Sequence, residues 1–209
     1  DSIDRSLDRL KIEYLDLIQL HSCDVNTLKD GECITAVQDA QKEGKVRFIG
    51  YSGDNDAAHW AVNSKIFSTL QTSFSLVEQH ARTTGLLEKA KKNNMGIIIK
   101  RPIAGGSWHR ATSKNSEQKI RAYDNPYLQR AMAMRALGRI KNESENGILT
   151  SMGYTIQNPN VDVIIIGTTN INHLRNNLHM IKKELPIEEN IISELNKRFE
   201  LLDNDWHQR

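Results

Sequence analysis

Tyr14-Leu15-Asp16-Leu17-Ile18-Gln19-Leu20-His21 is a strand-length, mostly apolar run that ends on a histidine. Short apolar runs bounded by polar segments read as buried strands. Ahead of it, Ser2–Leu10 places Ile3, Leu7 and Leu10 at helical spacing, with Asp1 or Ser2 as the cap. Behind it the alternation of strand, loop and helix repeats to residue 181. Thr27–Glu43 reads as an amphipathic helix with Leu28, Ile34, Val37 and Ala40 inward and Gly44 as its stop. Val46–Tyr51 is a second strand, and Asp54–Asn63 a helix that Asp54 can cap. Thr69–Phe74, Met95–Lys100 and Val161–Ile166 complete the strands. Helices are expected at Thr84–Asn93, Leu128–Lys141, Asn146–Tyr154 and Ile171–Ile181. Residues 187–203 read as a terminal amphipathic helix introduced by Pro186, with Ile191, Ile192, Leu195, Phe199 and Leu202 on its apolar face.

Near-continuous apolar strands separated by helices imply a parallel sheet covered by helices, an α/β protein. Two architectures fit: a doubly wound sheet and part of a (β/α)8 barrel. No Gly-x-Gly-x-x-Gly follows the first strand, which speaks against the dinucleotide-binding form of the doubly wound sheet. Barrel enzymes keep their chemistry where strands end, and His21 stands at such an end.

The 209 residues suffice for one domain, taken here as residues 1–209. Hydrophobic content of 38% and charged content of 26% belong to an ordinary globular chain, neither disordered nor membrane-embedded. A net charge of +2, with basic and acidic residues interspersed, gives no reason to expect nucleic acid or an anionic membrane surface as partner. Cys23 and Cys33 have neither metal-ligand spacing nor the look of a disulfide framework, so no metal is expected and the chain reads as cytoplasmic. Residues 101–127 form a long polar stretch with Gly105 and Gly106, the kind of loop that is usually functional.

Several segments resemble the aldo-keto reductase family in the same order along the chain. Ser6-Leu7-Asp8-Arg9-Leu10, Tyr14-Leu15-Asp16-Leu17 and Leu20-His21 resemble the signature that leads to that family's catalytic histidine. Residues 44–52, Gly-Lys-Val-Arg-Phe-Ile-Gly-Tyr-Ser, resemble its next strand, and residues 70–76, Leu-Gln-Thr-Ser-Phe-Ser-Leu, its sixth strand. Arg101-Pro102-Ile103-Ala104-Gly105-Gly106 is similar to its Pro-Leu-Ala-x-Gly turn. Ile165-Ile166-Gly167-Thr168-Thr169, with Leu174 and Asn177, resembles its cofactor-phosphate segment.

The resemblance implies a TIM-barrel fold represented by strands four to eight, with the first three strands, about 80–110 residues, lying ahead of Asp1. It implies reduction of an aldehyde or ketone by NADPH, with NADH as the alternative. His21 then orients the substrate carbonyl, and Ser52 and Gln71 hold the nicotinamide carboxamide, with Gly53 where the family usually has Asn. Lys100, Arg101, Pro102, Ile103 and Gly105 line the cofactor, while Gly167, Thr168, Thr169, His173 and Asn177 bind its adenosine end. The family's Asp, Tyr and Lys have no counterpart here, so residues 1–209 by themselves are expected not to catalyse. Open apolar strand edges at Tyr14–Leu20 and Val161–Ile166 are expected to need an N-terminal segment or a second chain to cover them. The competing function is a non-catalytic nicotinamide-binding sensor of the same fold.

Overall fold

The computed structural model describes residues 2–112, 122–203 and 206–207. Its elements run α1 (Ser2–Leu10), β1 (Leu15–His21), α2 (Val25–Asp30), α3 (Glu32–Lys42), β2 (Val46–Ser52), α4 (Asn55–Ser64), β3 (Thr69–Ser73), α5 (His80–Thr83) and α6 (Leu86–Lys92). They continue with β4 (Gly96–Lys100), α7 (Ser107–Arg110), α8 (Asn125–Ala136), α9 (Gly147–Ile156), β5 (Val163–Ile164), α10 (Ile171–Lys183) and α11 (Glu189–Leu202). The strands follow chain order in the sheet, and the fold is α/β with a parallel sheet. The chain divides into two compact units, Asp1–Thr72 with Gly85–Ile98, and Ser73–Thr84 with Ile99–Arg209.

In the first unit β1 and β2 pair in parallel from Leu15 opposite Val46 to His21 opposite Ser52. β2 and β3 pair from Gly50 opposite Thr69 to Ser52 opposite Gln71. The helix expected at Thr27–Glu43 is two helices. Asp24 caps α2 by accepting the Thr27 N–H at 2.8 Å, and Gly31, at φ 79°, takes the left-handed conformation that ends α2 and reverses the chain into α3. Asp54 precedes α4 as expected but does not cap it, because its carboxylate accepts the Thr72 hydroxyl at 2.8 Å. Val37, Ala40, Val46 and Ile49 form the core, packed by Ile3, Leu15, Ile18, Leu20 and Ile66. Each large aliphatic side chain so buried contributes about 1.5–3 kcal/mol. Along β1 no residue is fully buried; Ile12 and Tyr14 ahead of it, and Phe48 on β2, are exposed.

The second unit receives the end of β4, where the Ile165 N–H donates to the Ile99 carbonyl at 2.9 Å. The last strand is only Val163–Ile164, shorter than the apolar run Val161–Ile166, and Val163 and Ile165 stay about half exposed. α10 likewise leaves Ile171, Leu174, Leu178 and Ile181 exposed along one stripe. Leu149, Met152 and Met180 form a core with Ile103, Ile148, Ile156 and Leu185 around them, and α11 turns Ile191, Leu195 and Phe199 inward as expected. Residues 101–127 are not loop throughout: they contain α7 and two 3-10 turns, Ala104–Gly106 and Ala122–Asp124, while residues 113–121 lie outside the described residues. Among the described residues no helix is long and apolar enough to cross a membrane.

A buried charge network ties this unit's C-terminal residues to the segment after β3. Glu78 and Arg130 are both buried and pair at 2.6 Å, and the second Arg130 nitrogen donates to the His207 carbonyl. His80 Nδ1 bonds the other Glu78 oxygen, its Nε2 lies 3.1 Å from Asp203, and its ring meets Phe199 edge-on. Removing one partner of such a buried pair typically costs about 3–5 kcal/mol, because the other charge is left without compensation. The hydrogen bond to Glu78 raises the His80 pKa above its ordinary 6.5, although burial and Arg130 act against it. A raised folded-state value means the stabilisation is complete below pH 6.5 and is lost as pH climbs through that raised value. Burial also raises Asp203, which acts in the same sense from its ordinary 3.8 upward. Urea midpoints are therefore expected to fall from about pH 6 to about pH 8.5, and His80→Gln should flatten that dependence.

Candidate active site

His21, Ser52 and Gln71 form one row across three strands. Each is the ladder partner of the next, so the parallel register sets them side by side near the C-terminal strand ends, on the same face. His21 is exposed, Gln71 half-buried and Ser52 buried. The chain leaves the row under tight control. Ser22, at φ 56°, turns away from β1 while its N–H donates to the Ser52 carbonyl at 2.8 Å. The Gly53 N–H donates to the Gln71 carbonyl at 3.0 Å. The Ser52 hydroxyl oxygen has no hydrogen-bond partner. A buried hydroxyl without a partner is costly in a folded protein, and on the neighbouring strands Gln19 Nε2 and Thr69 Oγ1 likewise lack one among the described residues.

Tyr51 fills the space that a side chain at position 53 would need. A Cβ on Gly53 would lie 2.7 Å from two carbons of the Tyr51 ring and closer still to its hydroxyl. Glycine at this position, where the related segment usually carries Asn, is thus a packing requirement. Tyr51 itself is buried, donates to the Cys23 carbonyl at 2.7 Å, and burial pushes its pKa up to about 12. Tyr127 and Tyr154 are also buried, and burial raises Tyr154 above the ordinary tyrosine range.

In the second unit a cavity of about 550 Å3 opens beside the turn after β4 and the start of α10. Ile103, Gly105, Gly167, Thr168, His173 and Asn177 all line it, as do Gly106, His109, Arg110, Asn146 and Met180. Its size is that of a small-molecule site. Among the described residues three basic side chains, His109, Arg110 and His173, and no carboxylate line it. The turn runs through three successive left-handed residues, Ala104, Gly105 and Gly106, at φ 44°, 65° and 74°. A Cβ on Gly105 would meet the Asp124 carboxylate at 2.8 Å, so the backbone there stays bare. Asn170 caps α10 through the Asn172 N–H at 2.9 Å, and the Thr168 hydroxyl accepts the Asn170 N–H at 3.1 Å. The 13-residue helix therefore aims its positive end beside the cavity residues Thr168 and His173.

Lys100, Arg101, Pro102 and Thr169 do not line this cavity. Arg101 instead donates to the Ser73 hydroxyl at 2.7 Å, and the Pro102 carbonyl accepts from Thr155. His109, Arg110 and Asn146 carried no motif; only the fold gathers them. A second cavity, about 600 Å3, is lined by Arg135, Arg139, Glu143 and Glu145. Its charges already serve one another: Arg135 donates to Glu143 at 2.9 Å and lies 3.9 Å over the Trp108 ring.

Comparison with known proteins agrees with this architecture. Residues 1–196 match the aldo/keto reductase family. L-galactose dehydrogenase of Arabidopsis thaliana is 23% identical, the match covering 97% of this chain and 64% of that protein. An uncharacterized oxidoreductase of Bacillus subtilis is 26% identical over 91% of this chain and 62% of its own length. The holo form of aldo-keto reductase AKR11C1 from Bacillus halodurans superposes with a TM-score of 0.72 at 18% identity, covering 94% of this chain and 65% of that one. The chain thus spans a little under two thirds of the length of these relatives. With the family matched from residue 1 to residue 196, this chain belongs to the aldo/keto reductases.

Proposed function

We propose that this chain serves the NAD(P)H-dependent reduction of an aldehyde or ketone, its five strands corresponding to strands four to eight of the family barrel. The observation that carries the reading is the in-register row His21–Ser52–Gln71, with a buried, unpartnered hydroxyl at its centre. A carboxamide presents one donor and one acceptor. Ser52 and Gln71 offer groups of both kinds, which fixes which ring face is turned to the substrate. The nicotinamide dinucleotide supplies the hydride when bound. His21, exposed at the end of the row, donates a hydrogen bond to the substrate carbonyl oxygen and stabilises its developing charge.

The cavity of the second unit fits the adenosine end. Gly105 and Gly106 leave the backbone bare, Thr168 and the start of α10 suit a phosphate, and Asn177 offers an amide for a base edge. We infer NADPH over NADH from the lining. A dinucleotide site that selects NADH places a carboxylate on the ribose hydroxyls, whereas Arg110, His109 and His173 suit a 2′-phosphate. Arg110→Ala is expected to weaken NADPH binding about tenfold or more and to change NADH binding little. Paired fluorescence titrations check this.

One observation favours binding without turnover by residues 1–209. The family's proton donor is a tyrosine whose pKa is lowered by Lys and Asp, whereas Tyr51, the tyrosine beside the row, is buried, hydrogen-bonded and raised. Reduction then calls for a proton donor other than Tyr51, and the exposed apolar stripe Ile171, Leu174, Leu178 and Ile181 of α10 suits a further segment or chain packed on it. Residues 1–209 are expected to bind NADPH saturably and to leave its near-ultraviolet absorbance unchanged with a panel of aldehydes. Absence of binding would sink the functional reading. Turnover at an enzymatic rate would instead put the proton donor within these residues.

Gly53→Asn, the substitution toward the more usual family residue, is expected to displace Tyr51 and cost about 1–3 kcal/mol in urea unfolding, without tightening NADPH binding.

A further inference from the structure

The link between α8 and α9 and one face of α11 border a further cavity of the second unit, about 470 Å3. The link brings Arg139 and Lys141 to it. Asn190, Ser193, Glu194 and Lys197 follow at helical spacing, which places them on one face of α11, and all four line the cavity. The Asn190 amide donates to the Lys141 carbonyl at 3.2 Å and so ties the link to the helix. This cavity shares no lining residue with the one beside Arg110. Arg198 completes it. That side chain is buried, with two of its nitrogens committed: Nε donates to Glu194 at 2.9 Å, and Nη1 to the Met134 and Gly138 carbonyls at 2.9 and 2.7 Å. Nη2 has no partner among the described residues, yet protein does not seal it in. What little of Arg198 stays accessible therefore opens where it lines the cavity.

The charge around that nitrogen is unbalanced. Arg139, Lys141, Lys197 and Arg198 line the cavity against one carboxylate, Glu194, which already accepts from Nε. Arg139 has only Glu145, at 4.0 Å and with both side chains largely in solvent. Lys141 and Lys197 have no ion-pair partner among the described residues. The lining thus holds an excess of three positive charges, more than the +2 of the whole chain. A guanidinium offers N–H donors in a rigid fork that matches phosphate oxygens, and one fixed in advance by other bonds loses little freedom when it binds.

We propose that this cavity is an oxyanion site for a phosphate group, free or as a monoester, with Arg198 Nη2 as its fixed donor and Arg139, Lys141 and Lys197 as its mobile counter-charges. A phosphate group suits it better than a carboxylate, because its second charge and further oxygens engage cations that a single carboxylate would leave unmatched. The half-buried Ser193 adds a neutral hydroxyl on the same face of α11. The volume leaves room for more than the bare ion, so a small phosphorylated molecule can enter as well. The site does not depend on the cofactor reading of His21, Ser52 and Gln71.

Equilibrium dialysis with radiolabelled inorganic phosphate at pH 8, in sodium chloride of fixed ionic strength, tests this. Arg110→Ala is the background, so that the cavity beside α10 contributes little. That protein is expected to take up one phosphate saturably, with a Kd on the order of 1 mM. Lys141 and Lys197 are exposed, so replacing both by Ala should leave the urea midpoint unchanged. The same pair of changes should weaken phosphate binding about tenfold or more, and Lys197→Arg alone should keep it. Uptake that does not saturate, or that survives loss of both lysines, would overturn the proposal. So would equal displacement of the label by chloride and by sulfate at matched ionic strength, which is screening of surface charge only. Glycerol 3-phosphate separates the two sources. Displacement of the label supports a site open to monoesters, and lack of displacement supports one confined to the free ion. NADPH titration of the double lysine variant, with Arg110 intact, should match the wild type. A parallel loss there would place the lysines in the cofactor site and overturn the assignment of a separate one.

Discussion

The parallel register of β1, β2 and β3 is the constraint on which the candidate chemistry rests. His21 meets Ser52, and Ser52 meets Gln71, only in the pairing that begins with Leu15 opposite Val46. Side chains alternate along a strand, so a slip of one residue would set Tyr51 or Gly53 opposite His21 and turn the apolar residues of β1 away from the core. The core set Val37, Ala40, Val46 and Ile49 holds that register, since Val46 and Ile49 are themselves β2 residues. Burial of ordinary aliphatic side chains is thus what places three polar side chains in a row. The backbone bonds from Ser22 to Ser52 and from Gly53 to Gln71 then carry the same alignment past the strand ends.

Much of this was legible in the sequence because it depends on local pattern. Apolar runs gave all five strands; of the residues assigned to the inner faces of the second and last expected helices, Leu28, Ile34, Val37, Ala40, Ile191, Leu195 and Phe199 are buried, while Ile192 and Leu202 are half-buried. The errors have local physical causes. Gly44 looked like the stop signal of one long helix, yet Gly31 breaks it first, because a left-handed residue suffices to reverse the chain and an internal glycine in an amphipathic pattern does not announce its φ. Asp54 had the right position for a cap, and Thr72, eighteen residues later, took its carboxylate. Val161–Ile166 had a strand's composition, but only two of its residues are in strand conformation.

The site divides in the same way. His21, Ser52 and Gln71 follow from strand ends. Ile103, Gly105, Gly167, Thr168, His173 and Asn177 follow from a turn and a helix start, and all of them line one cavity. Arg101 lies outside that cavity for a reason no motif encodes, since its guanidinium reaches Ser73 on β3. Glu78, Arg130 and His80 passed without notice because their partners lie up to 77 residues away, as between Arg130 and His207. A buried ion network is a property of tertiary placement, and single-residue patterns carry no trace of it.

Two cavities of the second unit differ more in their lining than in their volume. The cavities lined by Arg110 and by Arg135 differ little in volume, about 550 and 600 Å3. In the larger, Arg135 and Glu143 neutralise each other and the guanidinium is stacked on Trp108, so an entering anion would have to displace a partner already in place. In the smaller, His109, Arg110 and His173 line the wall, and a helix N-terminus adds its dipole. In the first unit the buried Ser52 hydroxyl has no hydrogen-bond partner among the described residues, and neither do Gln19 Nε2 on β1 and Thr69 Oγ1 on β3. Folding tolerates such positions at a cost in stability. Ser52 is such a position and also a residue of the in-register row, whereas Gln19, Thr69, Ser75, Ser107 and Thr150 carry unpartnered polar atoms away from it.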